Sequence, residues 1–331
     1  MTSPSTTPPH TVAEFVAAGT DYLTRHHVEN PRVACELLAC RLFKCPRLEL
    51  FLHYAEIPPP PIVDAWRRGL KRVADGEPLQ YVLGEWDFRR LTLTVDRRAL
   101  IPRPETELLV DLVLEAKELW NLSTRAPRPA PLQREQTPID EPTGGRRASA
   151  AGSNTEGNRS ALPLIVDVGT GSGCIVLSLA TERPHACYVA IDASAEALEL
   201  ARANAARCGV ADKVEFRHAS GCGEFPAGSV DAIVANLPYI PTATVATLEK
   251  HIRDHEPLQA LDGGADGLDI IRNVAHDAVM VLRPGGWLFL EIGDDQGTAV
   301  RELLEILGFI AIAILPDLAG KTRFARARHG T

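Results

Sequence analysis

The chain has 331 residues, of which 45% are hydrophobic and 24% charged, a composition typical of a globular protein with a core of ordinary size. A formal net charge of −8 argues against non-specific binding along a phosphate backbone, and an aromatic content of 5% argues against broad base-stacking surfaces. No apolar run reaches the roughly 18 residues of a membrane-spanning helix, the N-terminus lacks a signal peptide pattern, and the seven cysteines form no CxxC pair that would indicate a metal site.

The first part of the chain is predicted to be a disordered tail followed by a small helical domain. Residues 1–10 are polar and rich in proline, as unstructured termini often are. From residue 11 to residue 78, apolar side chains recur at the spacing of helix turns. The proline run at 58–61 separates two of these helices.

Residues 79–120 change character and are expected to hold a hairpin and a connecting helix. The alternation of Leu91, Leu93 and Val95 is typical of a strand with one buried face. The helix is predicted to begin near Thr106, after two prolines that stiffen the preceding backbone.

Residues 121–160 differ from both neighbours. They contain only three large aliphatic side chains, whereas proline, serine, threonine, glycine and arginine fill much of the rest. Such a composition cannot bury enough apolar surface to offset chain entropy. The segment is therefore predicted to be a disordered insertion, with a docking segment as the alternative.

Strands and helices alternate from residue 161 to residue 327. The apolar run at 162–169 ends in glycine, as a buried parallel strand does. Further strands are predicted at 186–194, 213–219, 230–239, 287–293 and 309–315, with helices at 174–182, 196–208, 268–282 and 295–307. This alternation predicts an α/β fold, an open and mostly parallel sheet with helices on both faces.

A glycine-rich loop, DVGTGSG, joins the first of these strands to its helix. Its spacing is GxGxG, which weakens a dinucleotide interpretation, and a plain tight turn is the alternative. Asp192 ends the second strand, where a carboxylate can accept hydrogen bonds from both ribose hydroxyls. The alternative for Asp192 is capping of the next helix, for which Ser194 competes.

The segment Asn236–Tyr239 follows the fourth predicted strand, at the edge of the sheet where ligands bind in such folds. The Asn236 amide can both donate and accept hydrogen bonds. Pro238 restricts Leu237 to an extended conformation, which can turn its carbonyl outward. Tyr239 offers a flat face, so the segment suits a neutral, planar nitrogen substrate, with a polar turn as the alternative.

The loop and Asp192 together resemble class I S-adenosylmethionine-dependent methyltransferases. The segment NLPY resembles the (Asn/Asp)-Pro-Pro-Tyr motif of amino-methyltransferases, with Leu237 in place of the first proline. Five further motifs occur in this order along the chain: QYVLGEWDF, LIPRPETE, HEPLQALDGGADGLD, GGWLFLEIGDDQ and a terminal D-x-x-G-x-x-R. This order is similar to that of the HemK/PrmC family of protein-(glutamine-N5) methyltransferases, over roughly residues 11–325.

The resemblance implies a class I methyltransferase fold (Rossmann-like) at 161–327 and a small α-helical domain at 11–78 that recognises the substrate. It implies methylation of the glutamine N5 in the Gly-Gly-Gln motif of peptide chain release factors, with S-adenosyl-L-methionine as cofactor. The odd number of cysteines, the absence of a long apolar run and the net charge of −8 predict a cytoplasmic protein with no membrane contact and no direct nucleic-acid binding. The site residues that the resemblance implies are Asn236 and Tyr239 for catalysis; Gly169, Thr170, Gly171, Ser172, Gly173, Asp192 and Asn236 for the cofactor; and Asn236, Leu237, Pro238 and Tyr239 for the substrate.

Other functions stay open at this point. Within the same chemistry, the substrate could be a glutamine of a ribosomal protein. A DNA adenine N6-methyltransferase would be expected to carry a basic target-recognition region, which the net charge of −8 disfavours. A binding module that keeps the fold without turnover is the alternative from another class.

Several residues near these motifs have two possible roles. His255 could act as a general base or make a structural loop contact. Ser220 and Gly221 stand where the family usually has an aspartate and a bulky residue against the adenine, so the adenine contacts are left open. Pocket rim and ion pair are both possible for three residues of PRPETE: Arg103, Glu105 and Glu107.

Overall fold

The computed structural model describes residues 10–121 and 162–330. The predicted disordered tail at 1–10 and the predicted insertion at 121–160 therefore lie outside the described residues, apart from His10 and Asn121 at their borders. Within the described part of the chain, none of the helices combines the length and the apolar character that crossing a membrane requires.

The N-terminal part of the chain is helical, as its periodicity predicts. Its elements are α1 (Val12–Arg25), α2 (Pro31–Phe43), a 3-10 helix (Arg47–His53), α3 (Pro60–Ala74) and α4 (Leu79–Leu83). Thr11 and Glu14 form a capping box at the start of α1, and proline occupies the first turn of α2 and of α3. The helices share a core around Leu23, Leu38 and Trp66.

An antiparallel hairpin follows, formed by β1 (Glu85–Phe88) and β2 (Leu91–Thr94), as predicted from the alternation. Leu93 is fully buried beneath it. The backbone amide of Thr94 donates to the Asn204 Oδ1 at 2.8 Å, and the Asn204 Nδ2 donates to the Thr94 carbonyl at 3.0 Å. This pair of hydrogen bonds ties the hairpin to the larger α/β part of the molecule.

The connecting helix α5 (Pro104–Glu115) is followed by the short α6 (Lys117–Trp120). Helix α5 begins two residues before the predicted Thr106, because a proline is tolerated in the first turn of a helix. Its buried face, which includes Leu109 and Val113, packs against one face of the main sheet. This packing places the start of α5 beside the carboxyl ends of the strands.

The main sheet has seven strands in the order β5-β4-β3-β6-β7-β9-β8. They are β3 (Leu164–Val168), β4 (Cys187–Asp192), β5 (Val214–His218), β6 (Val230–Asn236), β7 (Leu282–Glu291), β8 (Ile310–Pro316) and β9 (Thr322–Arg328). The remaining helices are α7 (Cys174–Glu182), α8 (Ala195–Arg207), α9 (Thr242–Val245), α10 (Lys250–Arg253), α11 (Asp269–Val281) and α12 (Gly297–Ile306). Strand β9 runs antiparallel to both neighbours and the other pairs are parallel, so the predicted mostly parallel sheet is confirmed.

Strand β9 was not predicted, and it lies between β7 and β8 rather than at an edge. Its sequence, TRFARAR, carries three arginines that break the apolar run expected of an inner strand. The arginine stems cover apolar surface while their charged ends reach solvent or partners. Arg328, for example, lies over the Trp287 ring, with its guanidinium carbon 5.2 Å from the ring centroid.

Strands β3 and β6 are neighbours at the centre of the sheet, with Val168 beside Ala235. From β3 the chain winds outward through β4 and β5, then returns to build β6 and β7 on the other side. The strand order therefore reverses between β3 and β6, and such a switch point opens a crevice at the carboxyl ends of the strands. The glycine-rich loop and the Asn236–Tyr239 segment leave the sheet at this crevice.

Candidate active site

A cavity of about 880 Å³ lies at this switch point, within the size range of small-molecule sites. Its floor is formed by the glycine-rich loop, by Asp192 at the end of β4 and by the segment that follows β6. The backbone between β2 and α5, residues 98–103, and the loop at 257–260 form its rim. Motifs far apart in the sequence thus meet around one space.

The glycine-rich loop turns sharply at the end of β3. The amides of Gly169 and Thr170 both donate to the Ile191 carbonyl at 2.9 Å, which holds the loop against β4. Gly171 has a φ of +54°, in the left-handed region that glycine adopts at little cost. The loop therefore presents backbone rather than side chains to the cavity at this point.

Asp167 lies buried beneath this loop and was missed as a candidate site residue. Its Oδ2 accepts from the Thr170 hydroxyl at 2.7 Å and from the Val176 amide at 3.3 Å. Burial raises the pKa of Asp167 to about 7. An acidic residue inside an apolar strand is the sequence signal that could have identified Asp167. Burying an acid costs free energy unless polar partners surround it, so its presence in such a strand indicates a specific role.

Asp192 is held at the cavity wall by two backbone amides. Its Oδ2 accepts from Gly171 and its Oδ1 from Ser194, each at 2.8 Å. The cap of α8 is Ser194, whose Oγ accepts from the Ala197 amide at 3.1 Å, so the capping alternative for Asp192 is wrong. Each carboxylate oxygen keeps lone-pair capacity for one further hydrogen bond, which suits a vicinal pair of hydroxyls. Burial raises the pKa of Asp192 above its usual range.

The side chain of Asn236 reaches the cavity from the end of β6, with a defined partner behind it. Its Nδ2 donates to the Thr106 Oγ1 at 3.0 Å, and the Thr106 hydroxyl donates to the Glu291 Oε2 at 2.7 Å. Thr106 and Glu291 are only 1% and 2% exposed. The sequence analysis assigned neither of them, although a glutamate within the apolar strand WLFLE was a visible signal.

Leu237 and Pro238 line the cavity beside Asn236. The Leu237 side chain is buried and lies against the glycine-rich loop, with its Cδ2 3.2 Å from the position of a Cβ on Gly169. The residue that departs from the Pro-Pro pattern thus fills the space between the two motifs. A side chain on Gly169 would have to displace it.

Two predicted site residues are not among the described residues that line the cavity, Gly173 and Tyr239. Gly173 is the residue before α7, with a φ of +85°, and it packs against Leu177. Tyr239 lies near Glu291 and Arg323, and burial raises its pKa to about 12. Both residues therefore lie behind the residues that line the cavity and support them.

The backbone of the NLPYI segment is clamped by two other sequence motifs. The Ile240 amide donates to the Leu261 carbonyl at 3.1 Å, and the Gly263 amide donates to the Ile240 carbonyl at 2.8 Å. The Gln296 Nε2 donates to the Tyr239 carbonyl at 2.9 Å. The segments HEPLQALDGGADGLD and GGWLFLEIGDDQ therefore both hold this loop in place.

Gly267 gives a test of this clamp. Its φ is +78°, and a Cβ there would overlap the Tyr239 carbonyl oxygen. We expect Gly267→Ala to lower the free energy of unfolding by clearly more than the about 1–2 kcal/mol that a left-handed conformation costs a non-glycine residue. Gly209→Ala is the matched control, because Gly209 has a φ of +70° with open space around it. Equal losses for the two variants in urea titrations would contradict the tight fit.

The charged residues of the rim also have defined partners. The Glu256 side chain is fully buried, accepts from the Arg103 Nη2 at 2.5 Å and accepts from the Ile101 amide at 3.2 Å. Arg103 therefore both lines the cavity and forms an ion pair. His255 contacts the Arg97 guanidinium at 3.1 Å, which supports its structural interpretation. Burial, together with Arg97, lowers the pKa of His255.

Comparisons with known proteins indicate the family of this chain. A family model described as the PrmC N-terminal domain matches residues 14–84, and one described as a methyltransferase domain matches residues 165–255. The release factor glutamine methyltransferase of Moorella thermoacetica is 38% identical over 300 residues, or 89% of this chain and 90% of its own. The enzymes of the same name from Coxiella burnetii and Cereibacter sphaeroides are each 35% identical, over 91% and 96% of this chain and 93% and 95% of theirs.

The chain belongs to the release factor glutamine methyltransferase family. The predictions of the family, of the class I fold and of S-adenosylmethionine-dependent methyltransferase activity are thereby confirmed. Membership also explains why the helical N-terminal part and the α/β part occur in one chain.

The cavity of this methyltransferase fits the cofactor. The doubly anchored Asp192 carboxylate suits the ribose hydroxyls, and Gly169 and Gly171 leave the backbone open to the methionine end. The buried Asp167 Oδ1 has no hydrogen-bond partner among the described residues, so polar capacity remains beneath the loop.

The Ser220-Gly221 departure from the family pattern has a structural basis. Ser220 lines the cavity, and the loop behind it wraps around one carboxylate. The amides of Cys222 and Gly223 both donate to the Asp277 Oδ2 at 2.9 Å. A Cβ on Gly221 would lie 2.5 Å from that same oxygen, so the Asp277 side chain would have to shift and disturb these hydrogen bonds.

Proposed function

We propose that this enzyme methylates the side-chain amide nitrogen, N5, of the glutamine in the Gly-Gly-Gln motif of peptide chain release factors. The observation that carries the proposal is the position of Asn236, whose Nδ2 is committed to Thr106 while its side chain lines the cavity. The Oδ1 is then the atom that the side chain offers to a ligand. An acceptor at that place can take a hydrogen bond from the NH2 group of a substrate amide.

In the proposed site, Gly169, Thr170, Gly171 and Ser172 hold the methionine end of S-adenosylmethionine, and Asp192 holds its ribose. When bound, the cofactor would supply an electrophilic methyl group on a sulfonium. A new carbon–nitrogen bond would form as the carbon–sulfur bond breaks, with the electron pair left on sulfur and one amide proton lost to solvent. The residues of the chain need only align the amide nitrogen with that methyl group, since orientation contributes a large part of such rate enhancements.

The proposed substrate contacts follow from the same wall of the cavity. The Asn236 Oδ1 and the Leu237 carbonyl accept hydrogen bonds from the two N–H groups of the substrate amide, so the nitrogen lone pair points away from them. Both acceptors stabilise the positive charge that develops on nitrogen as the new bond forms. Pro238 and Tyr239 set the course of the backbone, Pro238 in the wall and Tyr239 behind it.

We propose that the parts of the chain divide the work, with residues 11–78 recognising the protein substrate and residues 161–327 carrying the reaction. The hairpin and connecting helix at 79–120 join them. The helical part exposes four large apolar side chains close together in sequence, which a protein partner could cover: Leu48, Phe51, Leu52 and Ile57. A role for 121–160 is not assigned, because most of it lies outside the described residues.

We also propose that the enzyme works in the cytoplasm, where release factors act, and binds neither membrane nor nucleic acid directly. The net charge of −8 supports the last point, because a nucleic-acid partner would favour a basic surface.

The test is transfer of a labelled methyl group from S-adenosylmethionine to a purified bacterial release factor. The matched control is the same factor with the glutamine of its Gly-Gly-Gln motif changed to Ala. We expect label in the first and none in the second. If only a ribosomal protein were labelled, the substrate would be that protein and not a release factor. Cofactor binding without any methyl transfer would favour a binding module without turnover.

A further inference from the structure

Glu291 is a buried acid at the last residue of the otherwise apolar end of β7. It lies in register with Asn236 on the neighbouring parallel strand β6, and Thr106 from α5 lies between the two side chains. Burial raises the pKa of Glu291 to about 7. Burying a carboxyl group costs more free energy than burying an apolar side chain at the same position. A functional role for Glu291 would explain why the chain carries an acid there.

The hydrogen bonds around Thr106 have a definite direction. A hydroxyl has one proton, and that of Thr106 is donated to the Glu291 Oε2. The Thr106 oxygen can then only accept, so the Asn236 amide turns its NH2 group toward Thr106. An ionised carboxylate cannot donate a hydrogen bond. While Glu291 is ionised, the opposite arrangement, in which Glu291 donates to Thr106 and Thr106 donates to Asn236, cannot form.

We propose that Thr106 and Glu291 are positioning residues that fix the orientation of the Asn236 amide, with Oδ1 facing the substrate. The inference rests on the role given to Asn236 in the proposed function. With the amide reversed, an NH2 group would face the substrate NH2, and the two donors could not pair.

The groups that face Glu291 come from each element packed around it. Glu105 on α5 raises its pKa, whereas Arg323 on β9, Thr106 and Asn236 lower it. Tyr239, in the loop after β6, and Cys174, at the start of α7, stay neutral because burial raises the pKa of each to about 12. When the pH falls and Glu291 gains a proton, it becomes able to donate, and the chain of hydrogen bonds loses its fixed direction. Turnover should therefore fall on the acid side of neutrality.

Three variants test this inference, compared by kcat, by KM for the release factor and by Kd for S-adenosylmethionine. Thr106→Val removes the hydroxyl at nearly constant shape and should lower kcat by about tenfold, the effect of roughly one hydrogen bond. Thr106→Ser keeps the hydroxyl and should restore most of the activity. The Kd for the cofactor should stay within about threefold in both, because Asp192 and the loop are unchanged.

Glu291→Gln separates a positioning role from a structural one. At pH 8 the variant should unfold at a higher urea concentration than the native enzyme, because a carboxylate with a raised pKa is a buried charge that destabilises the fold above that pKa. Its kcat should nevertheless be lower, and the acid limb of the pH profile should disappear. Asp231→Asn is the control, since Asp231 is an equally buried acid at the opposite end of β6.

Native kcat in Thr106→Val and an unchanged pH profile in Glu291→Gln would overturn the positioning role while leaving the proposed function intact. If Thr106→Val also loses cofactor binding, the pH profile of Glu291→Gln tests the positioning role instead: loss of the acid limb supports it and an unchanged profile overturns it. Failure of the native enzyme to label any release factor would instead refute the proposed function. Loss of the acid limb in Asp231→Asn would show that the limb reports on the fold as a whole.

Discussion

Asn236→Ala should reduce kcat for release factor methylation by a factor of about 10² to 10³, the usual effect of removing one preorganised group that stabilises developing charge. The side chain lies at the end of β6 with its oxygen turned to the cavity. Single-turnover measurements with labelled S-adenosylmethionine would show the loss. The variant should keep most of its affinity for the cofactor, because Asp192 and the glycine-rich loop supply most of the proposed cofactor contacts.

Asn236→Asp is the informative companion to that variant. It keeps an acceptor but places a second carboxyl group beside Glu291 and Thr106. Two close carboxyl groups do not both ionise readily, so one pKa should rise. We expect partial activity with a pH profile shifted toward the alkaline side. Full activity in Asn236→Ala would remove this residue from the mechanism.

Asp192→Ala should raise the Kd for S-adenosylmethionine by at least about 100-fold, because two hydrogen bonds to a charged group are lost. The carboxylate is prearranged by the amides of Gly171 and Ser194, so little ordering is needed when a ligand binds. Isothermal titration calorimetry would give the Kd directly. Asp192→Asn should lose less, since one carbonyl oxygen remains as an acceptor.

The control for the change in charge is Asp75→Ala. Asp75 is an exposed acid paired with Lys71 in the helical part, and its removal alters the net charge in the same way. A comparable rise in Kd for this variant would show a general electrostatic effect rather than loss of a ribose contact. Unchanged affinity in Asp192→Ala would move the ribose to another part of the cavity.

Cofactor affinity should also depend on pH through Asp192. Burial raises the pKa of this carboxyl, so it takes up a proton at a higher pH than an exposed aspartate does. A protonated carboxyl has one fewer acceptor for the ribose. The Kd should therefore rise as the pH falls through that pKa, and this dependence should be absent in Asp192→Asn. A native Kd that is flat over the same range would contradict the assignment.

Much of the fold could be predicted because the signals are local. An apolar run such as 162–169 predicts a strand and also predicts that both faces of the strand are buried. The glycine at its end predicts a turn, whichever elements pack nearby. The missed strand β9 shows the limit of this reasoning. Its arginines look exposed in sequence, and only the neighbouring Trp287 and the strands on either side explain why an inner position accepts them.

The candidate site divides in the same way. The sequence by itself indicated the glycine-rich loop, Asp192 at the end of β4 and the Asn236–Tyr239 segment, because each motif is a short stretch with its own backbone chemistry. Only the tertiary structure decided that Tyr239 and Gly173 lie behind the wall and that Thr106 and Glu291 support Asn236. The physical reason is that the orientation of a buried polar group depends on partners brought to it by other elements, here α5 and β7, and no local pattern records them.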